Sequence, residues 1–100
     1  NFSYKIFTKK AKTNDLKQTI HLDQLLIKYI SEPTIDWQIQ SDTGQIISQT
    51  NVLALSGNVV IENKSIDNPS TILTNYLEIN PNTLTIATNR DVLITINNNL

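Results

Sequence analysis

"VLALSGNVVIE", Val52 to Glu62, is the stretch whose reading decides the fold. Ser56-Gly57-Asn58 has turn chemistry, and read alone it makes a hairpin. Read by alternation, Leu53, Leu55, Gly57, Val59 and Ile61 fall on one face of a single strand that runs through the glycine. The continuous strand is the preferred reading, with Gly57 inward-facing at a bend, where a missing side chain relieves crowding. The hairpin at Ser56–Asn58 stays as the alternative.

The segments on either side repeat the period of two. Phe2, Tyr4 and Ile6 share a face in "FSYKIF". Ile20 and Leu22 alternate with His21 and Asp23, and that segment continues through "LLIKYI" until Pro33 interrupts the ladder. Ile35, Trp37 and Ile39 share a face in "IDWQIQ". "SDTG" (Ser41 to Gly44) reads as a turn, with glycine available for a positive φ angle, followed by a short strand "QIIS". Beyond Glu62, "NKSIDNPS" is loop-like. "TILTNYLEI" places Leu73, Leu77 and Ile79 on one face. "NPN" turns into "TLTIAT", and Asn89-Arg90-Asp91 turns into "VLITI", where Val92, Ile94 and Ile96 face together. A helix over "DLKQTIHLDQLLIKYI", capped by Asp15, competes with the strand reading of that segment. Its β-branched residues and its neighbours favour the strand. A unit of strand, tight turn and strand recurs, which is the spacing of a sandwich, a jelly roll or a barrel.

Composition narrows the function classes. One hundred residues suit a single domain with a modest core. A net charge of −1 argues against nucleic acid as a partner. Lys9, Lys10 and Lys12 form the one basic cluster, read as a solvated strand end. The chain has no cysteine, hence no disulfide framework and no thiolate metal site. No apolar run approaches the roughly 18 residues that span a bilayer. The chain starts at Asn1 inside an apparent strand, so a fragment is expected, with any anchor or signal upstream.

No catalytic constellation is visible. His21 is the single histidine, and it alternates with apolar residues on the polar face of its strand. Asp36, Asp42, Glu62 and Asp67 lack metal-ligand spacing. Neither a cofactor nor a metal is expected. Trp37 reads as core beside Ile35 and Ile39 rather than as a stacking platform. The apolar faces suggest something else: a small curved sheet can take an apolar ligand such as an acyl chain on its concave side. Its free edges can pair with another chain.

Three segments, "IDWQIQSDTGQI", "NVLALSGNVVIE" and "STILTNYLEINPNTLTIATNRDVLITI", together resemble the LptC (YrbK) family of periplasmic lipopolysaccharide-export components. The resemblance rests on Trp37 and Ile39, Asp42 and Gly44, Leu55, Gly57, Asn58 and Val59, Leu73, Thr74 and Leu77, Pro81, Ala87 and Thr88, and Val92 and Ile94. Their order and spacing hold over about Ile35 to Ile96, and the first 34 residues look like variable N-terminal strands.

That resemblance implies an all-β, twisted, open jelly roll of antiparallel strands, whose further C-terminal strand is expected to be either removed or not ordered here. It implies no enzymatic activity but binding of lipopolysaccharide through its acyl chains. Lipopolysaccharide is to arrive from an inner-membrane ABC transporter complex at the N-terminal edge and leave to an LptA-type bridge protein at the C-terminal edge. The implied place is a periplasmic domain of a protein anchored in the inner membrane. Alternation assigns the groove to Phe2, Tyr4, Ile6, Trp37, Ile39, Leu53, Leu55, Gly57, Val59, Ile61, Leu73, Leu77, Ile79, Val92, Ile94 and Ile96. Two further readings are a structural adaptor with a filled core and the soluble LptA-type bridge protein itself. Open edges also allow an edge-to-edge homodimer.

Overall fold

A computed structural model of the chain describes residues 4–32, 35–64, 69–80, 83 and 85–96. They form seven strands: β1 (Tyr4–Asn14), β2 (Thr19–Glu32), β3 (Ile35–Ile47), β4 (Val52–Asn63), β5 (Ser70–Asn80), β6 (Thr85–Ala87) and β7 (Leu93–Ile96). All pairs are antiparallel, in the order β1-β2-β3-β4-β5-β6, with β7 also on β5. The sheet is open, and its extents are 53 × 30 × 24 Å.

The strands are long because the chain is rich in β-branched residues and has only two glycines. The helical alternative over Asp15 to Ile30 gives way to β2, laddered to β1 between Thr19 and Tyr29. The tight connections fall at Asp15–Gln18 and Ser48–Asn51. In the first, the Asn14 side chain accepts the Lys17 amide at 3.2 Å, and Gln18 takes a φ of 50°. In the second, the Asn51 amide reaches the Ile47 carbonyl at 2.8 Å, and Asn51 takes a φ of 55°. Asparagine tolerates that left-handed conformation better than most residues.

Two expected turns are absent. "SDTG" lies inside β3, so Ser41–Gly44 and "QIIS" belong to one strand, with Ser48 just past its end. Ser56-Gly57-Asn58 lies inside β4, so the hairpin alternative falls and the continuous strand holds. Of "TLTIAT", only Thr85–Ala87 forms a strand. The connections around Pro33, through residues 65–68 and at "NPN" lie outside the described residues.

Alternation nonetheless breaks once in each of β2 to β5. Buried positions step by two, then jump: Leu22 to Leu25 in β2, Ser41 to Gly44 in β3, and Thr74 to Leu77 in β5. In β4 the jump is from Leu55 to Val59, one residue longer, and the ladder slips by one residue against both neighbours there. The jumps are in register, so they form a transverse bend across the sheet. Positive φ angles mark it, at Gln24 (53°), Gly57 (81°) and Asn58 (47°). The extra residue in β4 is a β-bulge, which sharpens local twist. β6 and β7 behave as one further strand broken at the same bend, between Thr88 and Val92.

Hydroxyl groups bond to backbone carbonyls along the bend. Thr8 donates to the Asp23 carbonyl at 2.8 Å, Thr43 to Ser56 at 3.2 Å and Thr74 to Asp91 at 3.0 Å. Thr88 donates to the Tyr76 carbonyl. A backbone carbonyl that loses its ladder partner away from water must find another donor. The threonines supply these donors, and no buried side-chain nitrogen or oxygen among the described residues is left without a partner.

Candidate functional site: the apolar interior and its open edge

Cross-strand partners project on the same face, so the register defines rungs of side chains. One rung consists of isoleucine throughout: Ile6, Ile27, Ile39, Ile61, Ile72 and Ile94 lie opposite one another in turn from β1 to β7. A neighbouring rung runs Tyr29, Trp37, Asn63, Ser70, Ile96. Across the bend, one rung runs Leu22, Gly44, Leu55, Leu77 and another Ile20, Ile46, Leu53, Ile79, Ile86. A flat sheet leaves both faces wet. Here the bend rolls the sheet around these rungs, and Leu55, Val59 and Ile79 are 0% exposed. Among the described residues ten apolar side chains form the core, with Ile6, Ile20, Tyr29, Trp37, Ile46 and Ile72 packed against it.

Burial fades where the rungs reach the last strand. Ile27, Ile39 and Ile61 are 1–2% exposed, whereas Ile94 in the same rung is 58% exposed and Ile96 is 65%. Ile86, the end of another rung, is 45% exposed. No strand among the described residues lies beyond β6 and β7. The interior is therefore closed at its centre and apolar but uncovered at this edge.

Most of the expected groove residues lie on this face. Ile39, Leu53, Leu55, Val59, Ile61, Leu77 and Ile79 are core, Ile6 and Trp37 pack beside it, and Ile94 and Ile96 form the open end. Tyr4 pairs with Tyr29 at the backbone, and Phe2 lies outside the described residues.

Val92 lies just before β7 and is 42% exposed, less than Ile94 and Ile96 beyond it. Two expectations are corrected. Leu73 is on the outer face, 41% exposed, because the phase switch at Thr74–Leu77 puts Ile72 and Thr74 inside. Gly57 does not face inward. Its φ is +81°, and a Cβ there would meet the side chain of Asp42, an exposed residue, at 2.9 Å. Asp42 also accepts a hydrogen bond from the Asn58 side-chain amide at 2.8 Å. Gly57 is thus the pivot of the bulge. The inward glycine is Gly44, where a Cβ would collide with the Leu25 side chain and meet Leu55 Cδ2 at 3.2 Å.

Leu22, Leu25, Ile27, Tyr29, Ile46 and Ile72 belong to the interior and were not assigned to it from sequence. Leu25, Ile27 and Tyr29 do alternate, but the continuous run "LLIKYI" conceals their phase.

Close charge pairs on the outer face are few among the described residues. His21 Nε2 lies 3.4 Å from Asp23 Oδ1, both solvent-exposed. Near the last strand, the Tyr76 hydroxyl donates to Glu78 at 2.9 Å. Partial burial, followed by the bond to Glu78 and its charge, pushes the Tyr76 phenol above its ordinary value.

No curated protein matches the chain at a significant level. A protein-family model does, over nearly its whole length. Residues 1–99 match the model described as "Lipopolysaccharide-assembly, LptC-related", and the chain belongs to the LptC family of lipopolysaccharide transport.

Proposed function

We propose that this chain carries lipopolysaccharide without chemical change, shielding its acyl chains on the inner face of the rolled sheet. The carrying observation is the inner face itself, apolar across the strands and uncovered at Ile86, Ile94 and Ile96. Each methylene of a lipid left in water costs about 0.8 kcal/mol, so a path through the periplasm needs apolar cover along its length. The exposed isoleucines of the last strand offer that cover where the interior meets solvent. Lipid arrives from an inner-membrane ABC transporter and leaves to an LptA-type bridge. Pairing of open sheet edges makes one face continuous between proteins, with main-chain hydrogen bonds as the joint. The domain works in the periplasm, held by an anchor in the full-length protein.

The test is capture of lipopolysaccharide by the purified chain. Ile94→Asp with Ile96→Asp should abolish capture and leave the fold intact, because both positions are already exposed. Capture equal to that of the unaltered chain would remove this site from the lipid path.

One observation favours a second reading. The centre of the interior is filled, with Leu55, Val59 and Ile79 wholly buried. A filled core suits an adaptor that joins proteins through its edges and never holds lipid. The adaptor reading predicts no lipopolysaccharide capture at all, with loss of complex assembly when an edge strand is disrupted.

A further inference from the structure

The charges of this chain are segregated along the strand order. Residues 1–32, which include the β1–β2 hairpin, carry six lysines against three carboxylates, a net +3. Residues 33–100 carry Lys64 and Arg90 against six carboxylates, a net −4. The outer face of the hairpin gathers the positive side. Lys5 and Lys28 are cross-strand partners, and so are Phe7 and Leu26 in the next row but one. Lys9 follows on the same edge strand. All three lysines are exposed, and Phe7 is 51% exposed.

No ion pair to these three lysines exists among the described residues. Asp23, the carboxylate with a described side chain on the strands of the hairpin, lies 3.4 Å from His21 Nε2. Asp42 is held by Asn58 on the neighbouring strands, and Glu62 by Gln40. Like charges directly opposite one another in a sheet are destabilising. Lys5 and Lys28 bear that cost with no ion pair among the described residues to offset it. The complementary anion is therefore external, and Phe7 between the lysines calls for a surface that is anionic outside and apolar just beneath. A lipid headgroup layer has both properties.

We propose that the outer face of the β1–β2 hairpin docks on an anionic lipid surface, with Lys5, Lys9 and Lys28 at the headgroups and Phe7 in the layer below. The charge segregation orients the molecule. The negative remainder of the sheet is repelled, so the β6–β7 edge points away into water. This docking is independent of the proposed transport path, since it uses the opposite face of the sheet.

The experiment is co-sedimentation of the full chain with vesicles free of lipopolysaccharide, made of phosphatidylcholine with or without phosphatidylglycerol. Binding should require phosphatidylglycerol and weaken with salt. Lys5→Gln, Lys9→Gln and Lys28→Gln together should lower affinity roughly a hundredfold, at about a fivefold loss per surface lysine. Phe7→Ala should weaken binding severalfold at any salt concentration. Lys64→Gln with Arg90→Gln, of similar charge change but far along the strand order, should leave binding unaltered. Equal binding to neutral vesicles, no binding to either, or an equal loss in the Lys64 and Arg90 variant would each overturn the proposal. So would capture of a soluble acidic protein on the lysine face in place of vesicles.

Discussion

Ile61 and Ile94 make the most informative comparison in the molecule. They are the same residue type, on the same face and in the same rung, two strands apart. Ile61 is 2% exposed and Ile94 is 58% exposed. The difference lies in their surroundings: β4 has a strand on either side and the rolled sheet over it, whereas among the described residues β7 pairs with β5 alone. One pattern of sequence therefore yields two roles. In the centre it makes a core that holds the sheet in its roll, and at the edge it leaves the same surface available to a ligand or another chain.

The comparison can be broken by mutation. Ile61→Ala should cost about 2–5 kcal/mol, read as a large fall in melting temperature, because a full cavity opens in a packed interior. Ile94→Ala should change stability by less than about 1 kcal/mol while reducing lipopolysaccharide capture. A comparable loss of stability at both positions would mean that the last strand is as deeply packed as the centre.

The two glycines sharpen the same contrast between interior and outside. Gly57→Val places a β-branched residue at φ +81° and against Asp42, and should cost about 1–3 kcal/mol. Gly44→Ala forces Leu25 from its buried position, and should cost about 1–3 kcal/mol through overpacking. Their signatures differ. Truncating Leu25 to alanine should relieve part of the Gly44→Ala penalty and none of the Gly57→Val penalty, in a double-mutant cycle read by denaturant unfolding.

The smallest effect concerns Tyr76. Burial and Glu78 raise its phenol, so the neutral form is favoured in the folded chain. Stability from this group is fully present below the ordinary tyrosine value and is lost as pH rises through the raised one. Glu78→Gln should move the Tyr76 transition to lower pH in an ultraviolet absorbance titration. An unmoved transition would show that burial alone sets it.

Much of the fold is legible in the sequence because alternation is a local signal. Leu53 and Leu55, or Leu77 and Ile79, announce their face within three residues. The bend is not legible in that way. It switches phase, so a face assigned on one side of Thr74 is wrong on the other, and Leu73 is lost to the outside. The switch does leave a trace, a polar interruption once per strand: Asp23-Gln24, Asp42-Thr43, Ser56-Gly57-Asn58 and Asn75-Tyr76. Read singly, "SDTG" and "SGN" have the composition of turns. Only their alignment in neighbouring strands shows a transverse bend, and that alignment is a tertiary fact. The same limit exchanged the roles of the two glycines. Parity puts Gly57 on the inward face, and parity fails across a bulge. The exposure of Ile94 and Ile96 was also beyond sequence, since it depends on which strands lie beside them.

The central claim is that the inner face reaches solvent at the last strand and meets lipid there. The most direct measurement places a photocrosslinker in turn at Leu93, Ile94, Thr95 and Ile96, in cells that are exporting lipopolysaccharide. Lipopolysaccharide should be labelled from 94 and 96, with little from 93 and 95. Equal labelling from all four positions, or labelling from 93 and 95 alone, would contradict the claim.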